Sequence, residues 1–83
     1  MNLYLRYFDN ETLVSNVEEA IAFLRSLGEV TVTRNMENDI REFVASNVMF
    51  PKRYKVNPRK YFIIIKTTAA TMRDFKEKKA TKQ

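Results

Sequence analysis

The chain has no cysteine, no histidine and no tryptophan, and only one glycine and two prolines among its 83 residues. Each absence closes off some chemistry. Without cysteine there is no disulfide framework and no thiol nucleophile. Without histidine as well, zinc sites of the usual ligand set are excluded, and so is the general base that titrates near neutral pH. The lone glycine, Gly28, cannot build a glycine-rich phosphate loop. Long apolar runs are missing too. The longest, Ala20–Leu24 and Tyr61–Ile65, are five residues each, far short of a membrane span. The opening stretch MNLYLRYFDN places Arg6 and Asp9 where the apolar region of a secretory signal would run. The expectation is a cytoplasmic protein without membrane segment, metal or cofactor.

What is present belongs to an ordered chain: 45% of residues are apolar and 12% aromatic. A chain of this size buries about 60–65% of its unfolded surface, enough for one domain with a thin margin. Residues 1–76 read as that domain and 77–83 as a frayed, polar, basic tail. Charge is unevenly spread. Residues 1–42 hold four Arg against eight acids, a net of −4, whereas residues 43–83 hold eleven Lys and Arg against two acids, a net of +9. Phe43 to Arg73 carries seven positive charges and no carboxylate. Such asymmetry implies a basic face and an anionic partner, unless the two halves face each other. Lysine on an exposed sheet edge also has a second purpose, to repel intermolecular pairing.

Periodicity sets out the elements. Leu3–Phe8 alternates and is aromatic-rich, a strand, followed by a polar turn from Asp9 to Thr12. Ser15 and Glu18 form a capping box ahead of a helix with Val17, Ala20, Ile21, Leu24 and Leu27 on one face, closed by Gly28. Glu29–Thr33 alternates as a second strand. Asn35 caps a second helix whose inner face is Met36, Ile40, Phe43, Val44 and Val48. Glu37, Asp39 and Glu42 lack calcium-loop spacing and read as ordinary helix charges. Pro51 enforces a stop. Tyr54–Val56 and Tyr61–Thr67 form a hairpin about Asn57-Pro58, and Thr71 with Asp74 opens a short last helix lined by Met72 and Phe75. The order is β-α-β-α-β-β-α, an α+β fold or small α/β sandwich of about four strands, with the helices mainly on one face.

The strand Tyr61–Ile65 is apolar on both faces, which demands cover on both. If Leu3, Leu5 and Tyr7 meet the helices, the second face carries Tyr4, Phe8, Phe62 and Ile64, fringed by Arg6, Lys60 and Lys66. Three covers compete: the chain's own helices, a second subunit in a homodimer, or single-stranded nucleic acid on an aromatic platform with a basic rim. Truncating Phe62 separates these readings, and the expectation is that it is buried.

Leu3-Tyr4-Leu5-Arg6-Tyr7-Phe8 resembles the first-strand motif of RNA recognition motif domains, with Tyr4 at the stacking position. Arg59–Lys66 resembles that family's second motif but lacks its glycine, and the helix between Asn35 and Val48 departs from its strand order. Taken whole, the chain is similar to small bacterial proteins to which no activity is attached. The sequence is therefore read as a non-enzymatic binding module whose first candidate ligand is nucleic acid, RNA or single-stranded DNA. Lys52, Arg53, Lys55, Arg59, Lys60 and Lys66 would contact phosphates, and Tyr4, Tyr54 and Phe62 would stack on bases. Two alternatives stand beside it. One is a structural homodimer or a subunit that binds an acidic protein. The other is a histidine-free ribonuclease resembling bacterial toxins, working with Arg53, Tyr54, Arg59 and Tyr61.

Overall fold

A computed structural model describes the backbone of residues 1–81 and the side chains through Glu77. The elements are β1 (Asn2–Tyr7), β2 (Asn10–Val14), α1 (Val17–Ser26), α2 (Arg34–Ala45), β3 (Lys52–Asn57), β4 (Lys60–Thr67) and α3 (Met72–Thr81). The fold is α+β, as expected, but its order is β-β-α-α-β-β-α. The four strands form one antiparallel sheet in the order β2-β1-β4-β3.

Two local readings give way. The chain turns on Phe8 and Asp9 alone, and Asn10–Val14 pairs with β1 as a strand, Tyr7 standing opposite Asn10. Glu29–Thr33 is an extended connection between α1 and α2. Its alternation is real, since Val30 is buried and Val32 packs against the core, but it joins no ladder. Capping residues shift slightly. Asn16, one residue after Ser15, accepts the Glu19 amide at 2.8 Å, while Glu19 accepts the Ser15 amide at 2.9 Å. Thr33 rather than Asn35 caps α2, through the Met36 amide at 3.2 Å. α2 ends at Ala45, so Val48 lies outside it and is exposed. Gly28 takes φ +77°, the left-handed conformation expected after α1. Thr71 accepts the Asp74 amide at 2.9 Å, and α3 continues to Thr81. Of the expected 77–83 tail, the last two residues lie outside the described part.

Register decides the faces. Leu5 pairs with Ile64, Tyr4 with Ile65, and Tyr54 with Phe62. Cross-strand partners share a face. Phe62 and Ile64 therefore join Leu3, Leu5, Tyr7 and Tyr54 beneath α1 and α2, in one core with Ala20, Leu24, Ile40 and Phe43. This corrects the expected grouping of Phe62 and Ile64 with Tyr4. The second face is divided. On its β2 side α3 covers it, where Phe75, Ala69 and Met72 pack with Tyr4, Leu13 and Ile65. On its β3 side no helix among the described residues lies over it.

Two ion pairs fasten α1 to α2, Arg25–Glu37 at 3.1 Å and Arg41–Glu18 at 2.7 Å, and Arg41–Glu37 at 3.0 Å links them within α2. No helix among the described residues is long and apolar enough to cross a membrane.

Candidate functional site

Three lysines of the basic segment have partners within the chain, two at the surface and one in the core. Lys52 Nζ lies 3.0 Å from Asp39 Oδ2 on α2, and 5.2 Å and 5.7 Å from the Tyr54 and Phe43 ring centroids. Lys60 Nζ donates to Glu29 Oε1 at 2.8 Å. Lys66 is buried. Its alternation with Phe62 and Ile64 points its stem into the core, and Nζ donates to the Ser46 carbonyl at 2.8 Å and Oγ at 3.3 Å, 4.6 Å from the Phe43 centroid. Ser46 is the C-cap of α2, where unpaired carbonyls attract a cation. Lys66 is thus a core tie, not part of a basic rim.

The expected stacking residues are committed as well. Phe62 is 1% exposed and stacks on Tyr54, ring centroids 5.0 Å apart at 12°. Tyr54 is buried on the same face. Burial first, and then the nearby Asp39 carboxylate, push its hydroxyl pKa up. The Asp39–Tyr54 approach falls short of a well-formed hydrogen bond, and Tyr54 Oη has no partner among the described residues. Tyr4 lies on the second face, but the Phe75 ring of α3 stacks on it at 4.2 Å and 16°. Its Oη donates to Glu11 Oε1 at 2.7 Å. Burial and then that bond push its pKa up to about 12. The chain's own rings occupy the positions assigned to bases at all three residues.

Arg53, Lys55 and Arg59 remain, and the fold brings them to the uncovered half of the second face. Lys55 pairs across the ladder with Tyr61, and Arg53 with Ile63. Their cationic ends lie near the Tyr61 ring, Arg53 Cζ at 5.6 Å and Lys55 Nζ at 6.0 Å from its centroid. Arg6 of β1 stands opposite Ile63 on the other side. Arg59 comes from the β3–β4 turn, which Asn57 Oδ1 closes by accepting the Arg59 amide at 2.9 Å. Phe8 comes from the β1–β2 turn. Arg6, Phe8, Arg53, Arg59, Tyr61 and Ile63 line an open groove of about 320 Å³.

Among the described residues none of Arg6, Arg53, Lys55 and Arg59 forms an ion pair. Arg6 stands opposite Glu11, whose oxygens accept from Tyr4 and from Lys76 Nζ at 2.9 Å, and the Arg6 charge adds to the lowering of that carboxyl without forming an ion pair. Those hydrogen bonds, from Lys76 first, hold the Glu11 carboxyl below its ordinary range. Among the described residues no group of three metal-ligating side chains is assembled. The groove therefore offers fixed positive charge beside exposed rings, with no carboxylate in its lining.

The sequence reading set Phe8 and Arg6 on the second face but gave neither a ligand contact; the structure brings both beside Arg53, Arg59 and Tyr61. Comparison with protein-family models, with curated proteins and with solved structures finds no match.

Proposed function

We propose that the protein is a non-enzymatic module that binds nucleic acid, RNA or single-stranded DNA, on the open half of the second sheet face. The observation that carries this reading is the gathering of Arg6, Arg53, Lys55 and Arg59 around Tyr61 without carboxylate partners among the described residues. Repeated phosphates are the ligand chemistry that such a row of cations neutralises, and exposed rings suit bases. A symmetric homodimer through this surface would set the arginines of one copy against those of the other. An acidic protein would meet the charges but leave the rings unused. The ribonuclease reading loses Tyr54, which strand alternation places on the opposite face from Arg53 and Tyr61.

The test is fluorescence anisotropy of labelled uridine and thymidine oligonucleotides, each about ten nucleotides long, a length within the single-strand site sizes known for small domains. With four phosphate contacts at about −0.7 each, log affinity falls against log salt with a slope of roughly −3 between about 50 and about 200 mM. Arg53→Ala and Arg59→Ala each flatten that slope by about 0.7 and leave the melting temperature at the wild-type value, since both side chains are exposed. A slope near zero, or no binding at the low-salt end, removes nucleic acid as the ligand. The oligonucleotides are recovered uncut after prolonged incubation; cleavage would replace the binding-module reading with the ribonuclease one.

A further inference from the structure

Phe8 is the only non-glycine residue with positive φ among the described residues, at +54°. It is the first of two residues in the β1–β2 turn, and it alone of the two has positive φ. That pattern belongs to the type II′ hairpin turn, whose first position favours glycine. A phenylalanine there is strained by its β-carbon. Core packing does not recover the cost: the ring is 60% exposed, with Tyr7 edge-on to it at 4.8 Å and 82°. A bulky residue held in a glycine conformation and left in solvent suggests a use for the ring. The groove it lines contains a second open ring, Tyr61, 40% exposed.

We infer that the groove is a base clamp for a single strand: Phe8 and Tyr61 each stack an unpaired base, while Arg6, Arg53 and Arg59 hold the phosphates beside them. The inference rests on the nucleic-acid reading above and narrows it. Bases in a duplex already have both faces stacked, so only unpaired nucleotides can use these rings.

Two probes separate the clamp from plain polyanion binding. One is a thymidine oligonucleotide of about ten nucleotides, within single-strand site sizes. The other is a sugar–phosphate strand of the same length without bases. The thymidine strand binds the wild-type protein more tightly, by about 5- to 150-fold for each base stacked. Phe8→Gly narrows that gap by a factor in the same range, leaves binding of the abasic strand unchanged, and melts at or above the wild-type temperature because glycine relieves the turn. Tyr61→Leu repeats the loss of base-dependent binding from the other side of the groove. Phe50→Ser removes a ring that is 81% exposed but outside the groove, and changes neither affinity. Equal affinity of the wild-type protein for the two strands overturns the clamp and leaves the cationic face standing. A Phe8→Gly protein that keeps the full preference for bases overturns the clamp too. Binding of neither strand overturns the clamp together with the nucleic-acid reading.

Discussion

Phe62 and Lys66 lie four residues apart on one strand and one face, and both hold the sheet to the helices. Truncating Phe62 removes a ring that is 1% exposed and stacked on Tyr54. The expected cost of Phe62→Ala is about 3–5 kcal/mol, close to the whole stability of a small domain. The variant should melt far below wild type or fail to accumulate, and a native melting curve would contradict the burial described. Lys66→Met keeps the stem but abandons the Ser46 carbonyl at the end of α2. It should cost about 1–3 kcal/mol. Lys60→Ala breaks only an exposed pair with Glu29, which contributes little. The sequence offered Lys60 and Lys66 as equals on a rim. Strand alternation puts both on the helix side; they differ in place along β4, because Lys66 lies beneath the end of α2 whereas Lys60 sits at the hairpin end beside the exposed Glu29.

The elements were legible wherever they announce themselves locally. Gly28 closed α1, Asn57-Pro58 turned the β3–β4 hairpin, and Thr71 opened α3, each through its own backbone chemistry. β2 was not legible. Its turn, Phe8-Asp9, lacks the glycine or asparagine that marks a two-residue hairpin, and the polar start of NETLV reads as a loop. The converse error at Glu29–Thr33 has the same origin, since alternation reports burial on one side and does not report pairing. α3 packs in the smaller of the two clusters, with Met72, Phe75 and Ala69 against Tyr4, Leu13 and Ile65, and a surface pair between Lys76 and Glu11. Phe75→Ala should therefore free α3 before the rest. Hydrogen exchange should quicken over residues 72–77 while β1 and β4 keep their protection, because their other face is held by the larger core. Equal loss of protection in α3 and in the central strands would show that the two clusters unfold as one.

At the scale of the whole molecule, the missing histidine returns as a pH argument. Five carboxyls are held below their ordinary values by hydrogen bonds to cations: Glu11 by Lys76, Glu18 and Glu37 by Arg41, Glu29 by Lys60, and Asp39 by Lys52. A lowered carboxyl pKa contributes stability that is present above its unfolded value, about 4, and is lost as pH falls through the folded value. Three tyrosines shift the other way. The Glu29 bond raises Tyr7, whereas burial first raises Tyr4, to about 12, and Tyr54. Their contribution is complete below the unfolded value, about 10, and is lost as pH rises through the folded value. With no histidine or cysteine, no side chain of ordinary pKa titrates between these limits. The melting temperature should form a plateau from about pH 5 to about pH 10, falling on both sides. The groove shares this insensitivity, since arginine keeps its charge across the whole range and phosphodiesters stay ionised. Affinity for a thymidine oligonucleotide at fixed salt should therefore be flat from about pH 6 to about pH 8.5, short of the carboxyl and tyrosine ranges. A midpoint in binding inside that window would count against Arg6, Arg53 and Arg59 as the groups that hold the ligand.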